Sequence, residues 1–424
     1  MSVDRRTFLQ GLGAGALGAL AGLAPAAAAG PAVPAYEAAT ADGFWQAVRA
    51  QFPLRDDPLY LNTGGLGPVS RPVLEAVETT TRRLQEHSET GHALFEPARE
   101  AMARFLGARP EEVCFVRNAT EGNSIIASGL ALAPGDEVIF ESHAHPGGSF
   151  PWLNQAKQRG VVVKLFEPDP AGDAGNVARI EALLTPRTKV VQVSHITCTT
   201  GLVLPVAMVA HAVRGRGIWF HVDGAQAAGM IPLDLPALGC DSYAFSGHKW
   251  LGGPHESGVL YLRRDRLEAV APTGIGAYSG ELPQLPGEIR YFGAASRHEY
   301  GTRNAALIVG LAEAVKLQEQ TGRERIAAHG ADLATLLHEE FSRIDGIETL
   351  TPSSPARRGS IVTIRHTRAD AGKFYGYLLE QHRLRCRPVT EQGLRAVRIS
   401  LHVCNNRADT ARIIAAVRAA VRDL

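Results

Sequence analysis

Lysine is nearly missing from this chain. Of 44 basic residues only six are lysine: Lys157, Lys164, Lys189, Lys249, Lys316 and Lys373. Cysteine is sparse as well. Cys114, Cys198, Cys240, Cys386 and Cys404 are scattered and odd in number, with no C-x-x-C pair. That pattern offers no zinc spacing and no disulfide framework. Cys114, Cys240 and Cys386 read as packed apolar residues. Charge of one sign is lacking too: the formal net charge is +1, so nothing favours a nucleic-acid or anionic-membrane surface. Ordinary small-molecule chemistry is left as the default. The 424 residues, 45% apolar and 21% charged, suit a soluble globular protein with a large core and two domains.

The first thirty residues are a separate matter. "MSVDRRTFLQGLGAGALGALAGLAPAAAAG" places Arg5 and Arg6 before Phe8, Leu9 and a Gly/Ala/Leu stretch. It resembles a twin-arginine export signal cleaved near Ala29. The stretch is too weakly hydrophobic for a convincing membrane helix. The expectation is a signal over 1–30, an N-terminal segment over 31–55, and a mature protein that is periplasmic or secreted and free of the membrane. This export machinery carries folded proteins, which suits an enzyme that acquires its cofactor in the cytoplasm.

Beyond the signal, a helix is expected around Asp42 to Gln51, and "YLNTGGLGPVS" reads as extended chain and turn. From Val73 to Phe105 the apolar positions recur at helical spacing. Seven short apolar runs follow, separated by helical stretches: "EVCFVR", "DEVIFES", "VVVKLF", "KVVQVSH", "GIWFHVD", "DSYAFS" and "GVLYL". Strand alternating with helix predicts an α/β core with a mostly parallel, seven-stranded sheet. Gly135, Gly160 and Gly217 stand where helix-to-strand turns belong. The Gly/Pro-rich stretch from Gly276 to Asn304 reads as a long functional loop. The large domain is expected over 56–300, and a smaller C-terminal α+β domain over 301–424.

Ligands of parallel sheets bind at the carboxyl ends of strands. Four motifs fall there: "RNATEGN", "ESHAHPGG", "HVDGAQ" and "SGHKW". Together they offer a phosphate site, a ring-stacking histidine, a carboxylate and a lysine, which is what pyridoxal 5'-phosphate needs from a protein. Lys249 is the one lysine that leaves an apolar strand for a Gly-rich turn, so it is the candidate covalent carrier. Asp223 would hold the pyridine nitrogen protonated, and Gln226 would reach the ring's phenolic oxygen. Ala119 and Thr120 open a helix and present N–H groups to phosphate, with Ser246 and His248 completing the cradle. Taken singly, Asp223 could cap a helix, Thr120 with Glu121 could start one, and His145 could be a turn residue. Taken together, the four strand ends favour the cofactor.

"HVDGAQAAGMIPLDLPALGCDSYAFSGHKWLGGP" resembles the class V aminotransferase family of PLP fold type I. The likeness runs from "YLNTGGLGP" through "RNATEG" and "YGTRNAAL" to "VRISLHVCNN". "LNTGGLGP", "SHITCTTGLVLP" and "YGTRN" are similar to the isopenicillin N epimerase-like branch. The resemblance implies His145 as the histidine stacked on the ring, in preference to His143. It implies a homodimer in which Thr302 reaches the neighbouring subunit's phosphate. Arg398 would pair with the substrate carboxylate, and Asn62 would contact substrate. No metal is implied. Related cysteine desulfurases carry a nucleophilic cysteine on the loop before the arginine. Here Cys386 lies within what reads as a strand, and the loop from Val389 to Ala396 has none. The expected activity is therefore at Cα of an amino acid or derivative, by epimerisation or transamination. The alternatives are C–S lyase or desulfurase-like chemistry and a non-catalytic PLP-fold binding protein.

Overall fold

The computed structural model describes residues 41–281 and 284–424. The expected export signal over 1–30 lies outside the described residues. In chain order the helices are α1 (Ala41–Arg49), α2 (Arg71–His87), α3 (Phe95–Leu106), α4 (Ala119–Gly129), α5 (Pro146–Arg159), α6 (Asp173–Glu181), α7 (Val206–Val213), α8 (Leu235–Leu238), α9 (Ala305–Thr321), α10 (Arg323–Phe341), α11 (Ala371–His382) and α12 (Arg407–Asp423). Strand β1 (Leu59–Tyr60) precedes the main sheet, built from β2 (Val113–Val116), β3 (Glu137–Glu141), β4 (Val162–Phe166), β5 (Thr188–Ser194), β6 (Trp219–Asp223), β7 (Ser242–Ser246) and β8 (Gly258–Leu262). The spatial order is β2-β8-β7-β6-β5-β3-β4. Only β8 runs against the others. The seven apolar runs are these seven strands. Most are buried on both faces between helical layers, which is why they read as continuous rather than alternating.

Beyond this sheet lie the short hairpin β9 (Gly280–Glu281) and β10 (Arg290–Tyr291), then β11 (Ile347–Thr349), β12 (Ile361–His366), β13 (Leu384–Arg385), β14 (Arg387–Val389) and β15 (Ala396–Ser400). A four-stranded antiparallel sheet, β11-β12-β15-β14, forms the smaller C-terminal unit with its own apolar core. Among the contacts that bind the units are a strand pairing and a helix face. Strand β1 pairs in parallel with β13, and the buried face of α9 joins the core of the large unit through Ile308, Leu311 and Val315.

The helical run expected from Val73 to Phe105 is two helices. Ser88 adopts φ 55° and Gly91 φ 70°, so the chain leaves the helix there. The apolar positions stop at Leu84 and resume at Ala93, so the polar stretch 85–92 with Gly91 marks the break that the long helical reading runs across. Gly135, Gly160 and Gly217 do take the left-handed backbone, at φ 83°, 71° and 69°.

Strand β2 is an edge of the sheet, and its open backbone is covered by charge. Glu299 accepts from the Phe115 N–H at 2.6 Å. Arg99 meets Glu299 through two bonds, at 2.7 and 3.0 Å, and also donates to the Val113 carbonyl at 2.8 Å. Both side chains are buried. This arrangement blunts the edge and anchors the loop that leads to "YGTRN". Arg99→Met strands a buried carboxylate, so it should cost about 3–5 kcal/mol in urea unfolding. A loss below about 1 kcal/mol would show that the pair is dispensable.

Candidate active site

The strand ends converge as the motifs required. A cavity of about 260 Å³ is lined by Ala119, Thr120, His145, Asp223, Gln226, Ser246, His248, Lys249 and Arg398. Lys249 stands three residues past β7, in the turn that returns the chain to β8. That turn is clamped from two sides by glycines. The Gly67 N–H donates to the His248 carbonyl at 2.7 Å, and a Cβ on Gly67 would stand 1.8 Å from the Lys249 carbonyl oxygen. On the other side Gly229, at φ 89°, presses on Leu251. No other residue fits at 67. Burial pushes the Lys249 ammonium below its ordinary range, and Asp223 only partly offsets this.

Asp223 closes β6 and is buried. Its Oδ1 accepts from the Ala225 N–H at 3.0 Å and its Oδ2 from Asn123 Nδ2 at 2.9 Å. Among the described residues it makes no ion pair, and this buried carboxylate faces the cavity that Lys249 also lines. Such a group calls for a cation or an N–H donor. His145 is the N-cap of α5, its Nδ1 accepting from the Gly147 N–H at 3.0 Å. Burial, then the Lys249 charge, holds its pKa below the ordinary value, so a neutral ring faces the cavity. Gly148 leaves room beside Asp223: a Cβ there would come 2.8 Å from Oδ2. A flat, protonated heterocycle fits this donor set.

The opposite end of the cavity suits phosphate. The first turn of α4 points at it, with Asn118 capping the helix through the Glu121 N–H at 3.0 Å. The Ser246 hydroxyl accepts from the Ala119 N–H at 3.0 Å and keeps its own hydrogen free. His248 Nδ1 is buried without a partner. Gln226 is fixed by the donor-only indole of Trp250, 2.8 Å from Oε1. Its Nε2 therefore donates to the Gly64 carbonyl at 3.0 Å with one hydrogen to spare.

Arg398, on β15, brings the small unit's charge into the cavity. Its guanidinium donates to the Cys198 carbonyl at 2.7 Å and to Asn62 Oδ1 at 3.0 Å. Asn62 is thus a hydrogen-bond partner of Arg398, next to Gly64 and Gly65 of the cavity lining. Burial, then the like charge of Arg387, pushes the Arg398 pKa down to about 10. Arg387 also lines the cavity, and the sequence reading missed it. It is the register partner of Arg398 across β14 and β15, and it is ion-paired with Glu391. Pairing register across a loop has no signature in one sequence, so only the charge count of "RCRPV" hinted at it.

Thr302 is exposed and lies in a different cavity, with Arg117, Glu121 and Arg303. Within one chain it does not meet Lys249. His143 is turned away, bonded to Thr199 at 2.9 Å and facing Glu167 at 3.2 Å. Cys386 is the joint between β13 and β14, not the interior of one strand. It is packed in the small unit's core, where burial pushes its thiol up to about 12.

The close approach at Gly67 gives a direct test. Gly67→Ala should displace the lysine turn and weaken pyridoxal 5'-phosphate binding to the apoprotein by at least about tenfold. Gly43→Ala, with nothing within 4 Å of the new Cβ, is the control. Equal affinity for both variants by absorbance titration would show that the contact does not hold the site.

Comparisons with known proteins show the family and the fold. The family described as Aminotransferase class-V matches residues 72–417. Over 390 residues the chain is 31% identical to an isopenicillin N epimerase of Amycolatopsis lactamdurans, across 88% of this chain and 98% of that protein. It is 32% identical over 402 residues to a probable cysteine desulfurase of Vibrio cholerae serotype O1, across 88% and 98%. Among solved structures it is similar to C-DES, in a mutant with glycine covalently linked to the PLP cofactor, at a TM-score of 0.80 and 27% identity, covering 87% of this chain and 98% of that one. C-DES is also known as a cystine C–S lyase in complex with its product cysteine persulfide, at a TM-score of 0.80 and 28% identity, covering 87% and 99%. The chain belongs to the class V aminotransferase family, and its fold is that of the type I pyridoxal-phosphate proteins.

Proposed function

We propose that the protein acts at Cα of an amino acid or amino-acid derivative, as an epimerase or aminotransferase resembling isopenicillin N epimerase. One observation carries this reading over sulfur transfer. The cavity joins Lys249 to Arg398, while the loop over 390–395 has no cysteine and Cys386 is sealed in the core. A thiolate nucleophile needs an exposed, electropositive setting, and Cys386 has neither exposure nor a lowered pKa.

The cofactor is pyridoxal 5'-phosphate, which when bound supplies an electron sink that acidifies the substrate's Cα hydrogen. The chain's own groups do the rest. The first turn of α4, Ser246 and His248 would hold the phosphate. Asp223 would accept the pyridine N–H, and neutral His145 would cover the ring face. Arg398 would take the substrate carboxylate through two parallel donors, fixing its plane and so which Cα bond faces the ring. The lowered pKa of Lys249 keeps more of the amine neutral and able to remove the Cα proton. Gln226, with one hydrogen unspent, would steady the ring oxygen.

The N-terminal arginine pair supports export and a periplasmic or secreted location. The exposed Thr302 supports a homodimer in which it reaches the partner subunit's phosphate.

A panel of amino acids and short peptides, including cysteine and cystine, tests the reading in deuterated water. The expected result is Cα deuterium incorporation into at least one substrate, with either the opposite enantiomer or a 2-oxo acid as product, unchanged in Cys386→Ser. Sulfide release from cysteine that Cys386→Ser abolishes would reinstate the desulfurase reading. Cofactor binding with no exchange on any substrate would favour a non-catalytic protein.

A further inference from the structure

Behind Asp223 lies a chain of buried polar side chains that the function above does not use. Trp219 and His221 belong to β6, Ser242 opens β7, and Asn123 sits in α4. His221 and Ser242 are register partners. Asn123, His221 and Ser242 are completely buried.

The hydrogens in this chain can be assigned from both ends. The Trp219 indole can only donate, and it lies 2.9 Å from Ser242 Oγ. Ser242 therefore accepts there and has its one hydrogen left for His221 Nδ1, 2.7 Å away. With Nδ1 bare, the imidazole proton is on Nε2, 2.8 Å from Asn123 Oδ1. That leaves Asn123 Nδ2 to donate to Asp223 Oδ2 at 2.9 Å and to the Gly147 carbonyl at 3.0 Å. From the other end, a flipped Asn123 would set its oxygen against two acceptors, the Asp223 carboxylate and the Gly147 carbonyl. Both ends demand the same arrangement, with every hydrogen pointing toward Asp223. Burial holds the His221 pKa down to about 4, which keeps the ring neutral across the physiological range.

We propose that His221 is a positioning residue: as the neutral Nε2–H tautomer it locks the Asn123 amide, which in turn aims Asp223 at the cofactor's ring nitrogen. Asp223 makes no ion pair among the described residues, so its orientation rests on the Asn123 and Ala225 N–H donors. The inference rests on Asp223 as the ring-nitrogen partner.

The first test needs no cofactor. Long-range 1H–15N correlation on 15N-histidine apoprotein should show His221 with a bare Nδ1 and a protonated Nε2, unchanged from about pH 6 to 8. The signal is assigned by its loss in His221→Gln. An Nδ1–H tautomer, or an imidazolium at pH 6, overturns the proposal. The second test uses the holoprotein. His221→Gln keeps one acceptor and one donor, whereas His221→Leu keeps neither. The pH midpoint of the bound cofactor's absorbance should move by about 1 unit in the leucine variant and stay near wild type in the glutamine variant. Equal shifts in both would reduce His221 to a space-filling role. The expected tautomer with neither midpoint moved would refute the positioning role while leaving Asp223 as the ring partner, which a midpoint shift in Asp223→Asn tests separately. Should His221→Leu fail to fold, the tautomer alone decides.

Discussion

One short backbone segment determines whether this site exists. Residues 59–67 run between the two units and are bonded to both. Strand β1 pairs with β13, and the Ser400 N–H donates to the Leu61 carbonyl at 2.8 Å. A few residues on, Gly67 lies against the backbone of the Lys249 turn, and Gln226 reaches the Gly64 carbonyl. Lys249 comes from the large sheet and Arg398 from the small one. Their meeting in one cavity depends on this strap, and the strap depends on a residue with no side chain. "LNTGGLGP" is glycine-rich because two backbones meet there, not because the turn must be loose.

The cavity is also an electrostatic arrangement held out of balance. Arg398 and Arg387 face each other across β14 and β15, a pairing that costs stability unless something offsets it. Glu391 offsets Arg387, and Asn62 with the Cys198 carbonyl satisfies two donors of Arg398. Neither partner of Arg398 carries an opposite charge. On the far side Asp223 is a carboxylate served only by N–H donors. A guanidinium and a carboxylate that form no ion pair among the described residues share one cavity with Lys249. That is the pattern of a site built to receive an anion at one point and a protonated ring at another.

Much of this was legible in the sequence, for physical reasons. Buried parallel strands appear as short apolar runs, and chemistry belongs at their carboxyl ends, so Lys249, Asp223 and Thr120 are candidates from the strand ends, while family resemblance selects His145 over His143. A lysine-poor chain made Lys249 stand out further. What escaped depends on which segments meet in space. The break at Ser88 falls in the polar stretch 85–92, which a reading of the apolar period on either side runs across. The pairing of Arg387 with Arg398 is a matter of register, and Asn123 and His221 read as ordinary interior residues of helix and strand. Asn62 and Arg398 came from family resemblance alone. The structure joins them by a hydrogen bond, with Arg398 on the cavity lining.

The central claim is that Lys249 carries the cofactor. It is tested most directly by borohydride reduction of the purified protein followed by peptide mapping. The cofactor should be fixed on the peptide containing "SGHKW", at Lys249, and at none of the other five lysines. Labelling at a different lysine, or no cofactor to reduce after loading with pyridoxal 5'-phosphate, would contradict the account.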